Sequence, residues 1–297
     1  MRTEKNTKLN YKKIIFWSLV AFFILAAVLF VWLLAGKATN AKRKVLENLP
    51  LPIALINNKP IYAKDFFKRY DLAKNFLNPT QDSEELKKQI KDRLAYEEKV
   101  KQTAKSKNVS VDQKQLEKEY ELFAQAYQMQ TGESLENALI ARGINDGYFK
   151  NKILGFNVLL KNLALWHNTQ KDLNQKPYRV ADFLMQELNG GADFAGLASM
   201  YSQDENSKAF EGDLGYVEIF NLLFELQEPI DTGGAGKVLV LPSSLGLHII
   251  KIEDKDNIGE QGGPRAHLRQ IFLNTEDFNK WLETQIKTYK TKTIINV

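Results

Sequence analysis

The segment that most constrains this chain is Ile14–Ala35, an unbroken run of 22 residues in which Ser18 is the one clearly polar side chain. At ~1.5 Å of rise per residue, such a helix is about 33 Å long and matches a hydrocarbon core of ~30 Å. Trp17 and Trp32 stand near its ends, where indole rings favour the membrane interface. The competing reading is a cleaved signal peptide, but its apolar region is ordinarily ~7–15 residues. Ala35-Gly36-Lys37 is also a poor cleavage site. No cysteine occurs anywhere, which removes lipoprotein processing, thiol catalysis and disulfides together. The sequence therefore predicts an uncleaved single-pass anchor at 14–36 after a short terminus at 1–13.

Basic residues flank that run on both sides: Arg2, Lys5, Lys8, Lys12 and Lys13 before it, Lys37, Lys42, Arg43 and Lys44 after it. They exceed the formal net charge of +5 by themselves. Contact with anionic lipid headgroups accounts for them, and no nucleic-acid partner is expected.

Residues 37–52 read as a polar linker. Ile53–Tyr62 then carries two short apolar runs around Asn57-Asn58, and asparagine tolerates the positive φ that a tight hairpin turn needs. Asp65–Leu77 reads as a short helix with Phe66, Phe67, Tyr70 and Leu72. Asp82-Ser83-Glu84-Glu85 is an N-terminal capping pattern before Leu86, Ile90 and Leu94. A second cap at Asp112 precedes the stripe Leu116, Tyr120, Phe123 and Tyr127. Ser134 caps a short helix ending near Gly143, and Asp146 opens a long one that runs to Trp166. Most of these aromatic positions are expected to be core. Asn168–Pro177 is polar and reads as a link between this domain and the next.

Beyond it, Val180–Leu188 is helical, Gly190-Gly191 ends that helix, and Asp193 caps Phe194–Tyr201. Ser202–Glu211 is a polar loop leading to Gly212-Asp213-Leu214-Gly215. Val238–Leu241 and His248–Ile252 have strand composition. Three of these stretches carry a resemblance in combination: Gly191-Ala192-Asp193-Phe194-Ala195-Gly196-Leu197-Ala198, Tyr201-Ser202-Gln203-Asp204 with Gly212–Gly215, and Gly246-Leu247-His248-Ile249-Ile250-Lys251. Over roughly Lys176–Asp254 the chain resembles the parvulin-type peptidyl-prolyl isomerases. The hairpin-then-helices order of the preceding region resembles the N-terminal chaperone domain of SurA/PrsA-type foldases.

The resemblance implies an α+β chain: transmembrane helix, mainly helical SurA-like chaperone domain at 53–175, parvulin-like domain of the FKBP-like superfold with a small antiparallel sheet at 176–275, and C-terminal helix at 276–297. It implies isomerisation of X–Pro bonds without a cofactor, in unfolded or newly exported polypeptides. It also favours a cytoplasmic N-terminus with the remaining domains extracytoplasmic at the cell membrane. Asp204 matches the position facing the prolyl carbonyl, and His248 the strand histidine of the polar floor. Leu222, Leu223 and Phe224 stand near the family's proline pocket, with Leu214 beside it. Each has a plain structural alternative: a solvated loop acid, a satisfied core histidine, ordinary core. Glu205 and Glu211 accompany a single Lys208, so the loop lacks the basic cluster that grips phosphate.

Parvulins open with a strand that Lys176-Pro177-Tyr178-Arg179 is too short and too polar to supply. Ala266–Thr275 resembles that strand, displaced to the C-terminal side. Two readings are open: a circularly permuted domain, which requires Ile271 to pair beside Ile249, or a domain that has lost the strand. Under permutation Gln270 takes the place of the first site histidine, and His267 points to the opposite face because side chains alternate. A one-residue bulge would instead bring His267 inward. Gln270 hydrogen-bonds but does not titrate, so the expectation is weaker catalysis, or a chaperone that only holds its clients. Phe278, Trp281, Leu282 and Ile286 recur at helical spacing in Glu276–Thr288.

Overall fold

The computed structural model describes residues 31–32, 39–76, 83–259 and 263–297. The expected anchor at 14–36, apart from Val31 and Trp32, and the expected cap at Asp82 lie outside these residues. Among the described residues no helix is long and apolar enough to cross a membrane. The chain forms two compact units, one of residues up to Glu98 together with Tyr289–Val297, the other Lys99–Thr288.

In the first unit, α1 (Asn40–Asn48) is capped by the Thr39 hydroxyl. β1 (Pro52–Ile56) and β2 (Lys59–Tyr62) then form the expected hairpin. Asn57 and Asn58 hold φ of 44° and 68°, the left-handed pair that a two-residue turn between twisted strands requires. Ile53, Ile56 and Ile61 face Phe66, Phe67 and Tyr70 of α2 (Ala63–Phe76) and Leu86, Ile90 and Leu94 of α3 (Ser83–Ser106). These aromatics are core, with Phe66 fully buried. The free edge of β1 is taken by β7 (Thr291–Thr293), Leu55 opposite Lys292, and Ile295 and Val297 join the same core. That strand has no apolar signal in the sequence. Its partner supplies the reason for its conformation.

In the second unit, α4 (Gln113–Thr131) starts on Asp112 and α5 (Leu135–Ala141) on Ser134, both as expected, each side chain accepting a backbone N–H of the first turn. The long helix expected from Asp146 is interrupted. It consists of α6 (Asp146–Tyr148), a π-helical turn at Phe149–Leu154, and α7 (Gly155–Thr169). The wide turn re-phases the helix, so that Leu154 and Val158 pack together on Leu116 of α4. α8 (Gln175–Asn189) begins earlier than Val180, because Pro177 lies in its first turn, where a missing N–H costs nothing. The stretch read as a link is held in the fold: Asn168 is 2% and Asn174 0% exposed.

α9 (Phe194–Tyr201) is capped by Asp193, which accepts from Gly196 N at 2.8 Å. A short α10 (Glu205–Lys208) lies inside the segment read as loop. β3 (Asp213–Glu218), a tight turn at Ile219–Asn221 and α11 (Phe224–Thr232) follow. β4 (Val238–Pro242), β5 (Leu247–Asp256), β6 (Arg265–Leu273) and α12 (Phe278–Lys287) come next. The antiparallel sheet has the order β3-β6-β5-β4, with Ile249 opposite Ile271. One face, with Leu247, Ile249, Ile271 and Leu273, packs on Ala181 and Leu184 of α8 and on Phe194, Leu197 and Ala198 of α9. The other, with Ile250, Ile252, Ala266 and Leu268, packs on Ile219, Leu226 and Ile230. Covering both faces explains why β5 is buried from Leu247 to Ile250 without alternation.

Candidate active site

His248 and Gln270 stand two residues from Ile250 and Leu268, respectively, on their strands, so both lie on the sheet face covered by α11. Their side chains meet, His248 Nδ1 standing 3.1 Å from Gln270 Oε1. Gln270 Nε2 donates to Asp204 Oδ2 at 2.9 Å. The three polar residues selected from the sequence therefore form one connected group. His267 lies on the opposite face, where it approaches Asp213 at 2.8 Å and stacks on Tyr216. The register with Gln270 inward is the one observed.

Asp204 reaches Gln270 because the chain leaving α9 is stapled to β6. Gln203 N donates to Phe272 O at 2.8 Å, Phe272 N to the buried Ser202 hydroxyl at 3.1 Å, and Asn274 N to Gln203 Oε1 at 2.6 Å. Ser202 thus bonds a strand 70 residues further along the chain. Asp204 then caps α10, accepting from Asn206 N, Ser207 N and, at 2.6 Å, the Ser207 hydroxyl. Burial alone raises its carboxyl pKa and is the largest single effect, but these bonds and the Gln270 amide outweigh it together, so the group stays ionised below the usual range.

Ser243, fully buried, completes the far side. Its hydroxyl oxygen accepts from Leu245 N at 3.0 Å and Gly246 N at 3.3 Å, leaving its proton for His248 Nε2 at 2.8 Å. That fixes a single polarity. Ser243 O–H donates to Nε2, Nδ1–H donates to Gln270, and Gln270 donates to the Asp204 carboxylate. A neutral imidazole is required, and burial lowers the His248 pKa, partly opposed by Gln270, Glu225 and Asp204. Sequence reasoning passed over Ser243, although Pro242-Ser243-Ser244-Leu245-Gly246 carries the composition of a tight turn.

Because the folded His248 pKa lies below its unfolded value of ~6.5, the unfolded chain binds more protons in that window. Stability is retained above ~6.5 and lost as pH falls toward the folded pKa. A lower urea midpoint at pH 5 than at pH 7 is expected, with the difference reduced in His248→Asn. An unchanged difference in that variant would assign the acid sensitivity elsewhere.

The apolar candidates separate. Leu214, Leu222 and Leu223 are partly buried against the Ile250–Leu268 cluster, on the face that carries His248. Phe224 opens α11 and is 37% exposed. Next to it Glu225 accepts from Ser244 N at 2.7 Å, anchoring the turn that holds Ser243. Phe272, not selected from the sequence although it shares the Gln270 face, lies 5.0 Å from the His248 ring. A Cβ on Gly246 would stand 2.6 Å from the Phe272 ring, so the glycine of Gly-Leu-His is what lets that ring lie there. Among the described residues no cluster is placed to hold a metal ion.

Comparison with known proteins assigns both halves. A model of the SurA-like N-terminal domain matches residues 3–155, and one of the PPIC-type PPIASE domain matches residues 150–256. The second match ends before β6. The chain is 28% identical over 228 residues to the foldase protein PrsA of Caldanaerobacter subterraneus subsp. tengcongensis, spanning 73% of this chain and 70% of that one. It is 34% identical over 110 residues to PrsA of Oceanobacillus iheyensis, 35% of each chain. With the chaperone SurA of Alkalilimnicola ehrlichii it shares 29% over 107 residues, 33% of this chain and 24% of that one.

Proposed function

We propose, since this chain belongs to the family with a SurA-like N-terminal domain and joins to it a PPIC-type peptidyl-prolyl isomerase domain, that it is a membrane-anchored foldase acting on exported proteins outside the cytoplasm. The PrsA and SurA relatives support the foldase role and the isomerase activity. The apolar run Ile14–Ala35 is the basis for the anchor, and the bulk of the chain beyond it for an extracytoplasmic placement. Clients are unfolded or newly exported polypeptides with X–Pro bonds, and no cofactor enters the reaction.

The observation that carries the site assignment is the Ser243–His248–Gln270–Asp204 chain of hydrogen bonds. Rotation about a peptide bond is slow because twisting forfeits amide resonance, with a barrier of ~18–20 kcal/mol. Resonance places negative charge on the carbonyl oxygen in the planar state. An ionised carboxylate facing that oxygen disfavours the planar state and lowers the barrier to the twisted one. The hydrogen-bonded imidazole and amide hold Asp204 in place without exchanging protons, and Phe272 with the leucines of the same face provides an apolar setting. We read β6 as the permuted first strand of the isomerase domain. Its pairing of Ile271 beside Ile249 supports that reading.

The direct test is a protease-coupled assay of an Ala-Pro peptide with the purified protein. Isomerisation faster than the uncatalysed rate is expected. A rate equal to the uncatalysed one would sink the enzyme reading and favour a holding chaperone in which Gln270 marks a silent site. Membrane fractionation with and without residues 1–36 tests the anchor: release on truncation is expected, and a soluble intact chain would reject it.

A further inference from the structure

The turn that presents Ser243 to His248 is gripped a second time, from the end of α7. Asn168 Nδ2 donates to the Ser243 carbonyl at 2.9 Å. The direction of this amide is set by its other end, since Asn168 Oδ1 takes the Thr275 hydroxyl at 2.8 Å and His167 Nδ1 at 2.9 Å. The Asn168 carbonyl is held as well, by Tyr178 Oη at 3.0 Å. Asn174 closes the group, donating to His167 O at 2.7 Å and accepting from Glu276 N at 2.9 Å. His167, Asn168, Asn174 and Ser243 are each at most 2% exposed, so water does not compete for these bonds.

One buried amide therefore ties the turn before β5 to the segment after β6, the two strands that carry His248 and Gln270. We propose that Asn168 is a positioning residue for the isomerase site, holding the Ser243 main chain so that the hydroxyl meets His248 Nε2. The Ser243 oxygen already accepts two backbone N–H groups in its turn. With the carbonyl fixed from outside, the proton has one remaining direction. This inference rests on the site assignment above, and it predicts that a residue outside the motifs controls the imidazole through Ser243.

The test is a double-mutant cycle in the full-length protein, with Asn168→Ala, Ser243→Ala and both together. Asn168→Ala is expected to lower kcat/KM about tenfold, mostly in kcat, while in the Ser243→Ala background it costs less than about twofold more. Fully additive losses would overturn the proposal, because a role in general stability does not depend on Ser243. A second readout needs no activity. With nitrogen-labelled histidine, the His248 ring resonances are expected to shift in Asn168→Ala as Nε2 loses its donor. Unshifted resonances would overturn the proposal, and this spectrum separates its failure from absence of isomerase activity. If Asn168→Ala does not fold, Asn168→Ser, which keeps a hydroxyl for Thr275, is read by the same spectrum with the same two outcomes.

Discussion

Asp204→Ala lowers kcat/KM for an Ala-Pro peptide about a hundredfold, the loss typical when one preorganised electrostatic group is removed from a reaction centre. The geometry makes the effect large. Asp204 is the carboxylate at the end of the hydrogen-bond chain that runs from Ser243 through His248 and Gln270. Without it Gln270 Nε2 is left with the longer contact to the Ser207 hydroxyl, at 3.4 Å, and the amide is held less firmly. The same substitution removes the cap of α10, costing about 1 kcal/mol of stability. Urea unfolding must therefore be measured beside the assay, so that the kinetic loss is read on folded protein. Asp204→Asn retains a cap oxygen but not the charge. Activity near wild type in that variant would reject the carboxylate's role while leaving the structural one.

Gly212→Ala destabilises the protein by about 2–5 kcal/mol, combining the penalty of a left-handed alanine with overpacking. Gly212 holds φ of 80°, and a Cβ there would lie 2.6 Å from the Gln270 carbonyl oxygen and 2.8 Å from Ala198 Cβ. The neighbour is backbone in the middle of β6, which cannot rotate away. Gly212 O also accepts from Gln270 N at 2.8 Å, so relief of the clash displaces the residue that links His248 to Asp204. Gly215→Ala is the comparison. Gly215 has φ of 64° but nothing within 4 Å of its Cβ position, so only the conformational cost of about 1 kcal/mol applies. Equal losses in the two variants, measured by urea unfolding, would show that close packing on β6 is not what demands a glycine at 212.

Signals confined to a few residues were legible. Asp112, Ser134 and Asp193 each cap the helix their sequence context indicated. Asn57-Asn58 makes the hairpin, and alternation along β6 separates Gln270 from His267. The interruption of the Asp146 helix was not legible, because it answers to Leu116 on another helix. Nor was β7, whose three exposed residues are strand only because β1 offers an unpaired edge.

For the candidate site the division is similar. By itself the sequence determined the strands that bear His248 and Gln270 and the faces on which their residues point, because turn and pleat geometry act over one to four residues. The resemblance to a permuted domain also implied the pairing of Ile271 with Ile249. Only the tertiary structure decided that Ser202 serves β6, that Ser243 directs its proton to His248, and that Asn168 holds Ser243 from a helix 75 residues earlier in the chain. A buried polar atom must find some partner, but which one it finds depends on what the packed core brings within ~3 Å, and residue type does not encode that distance.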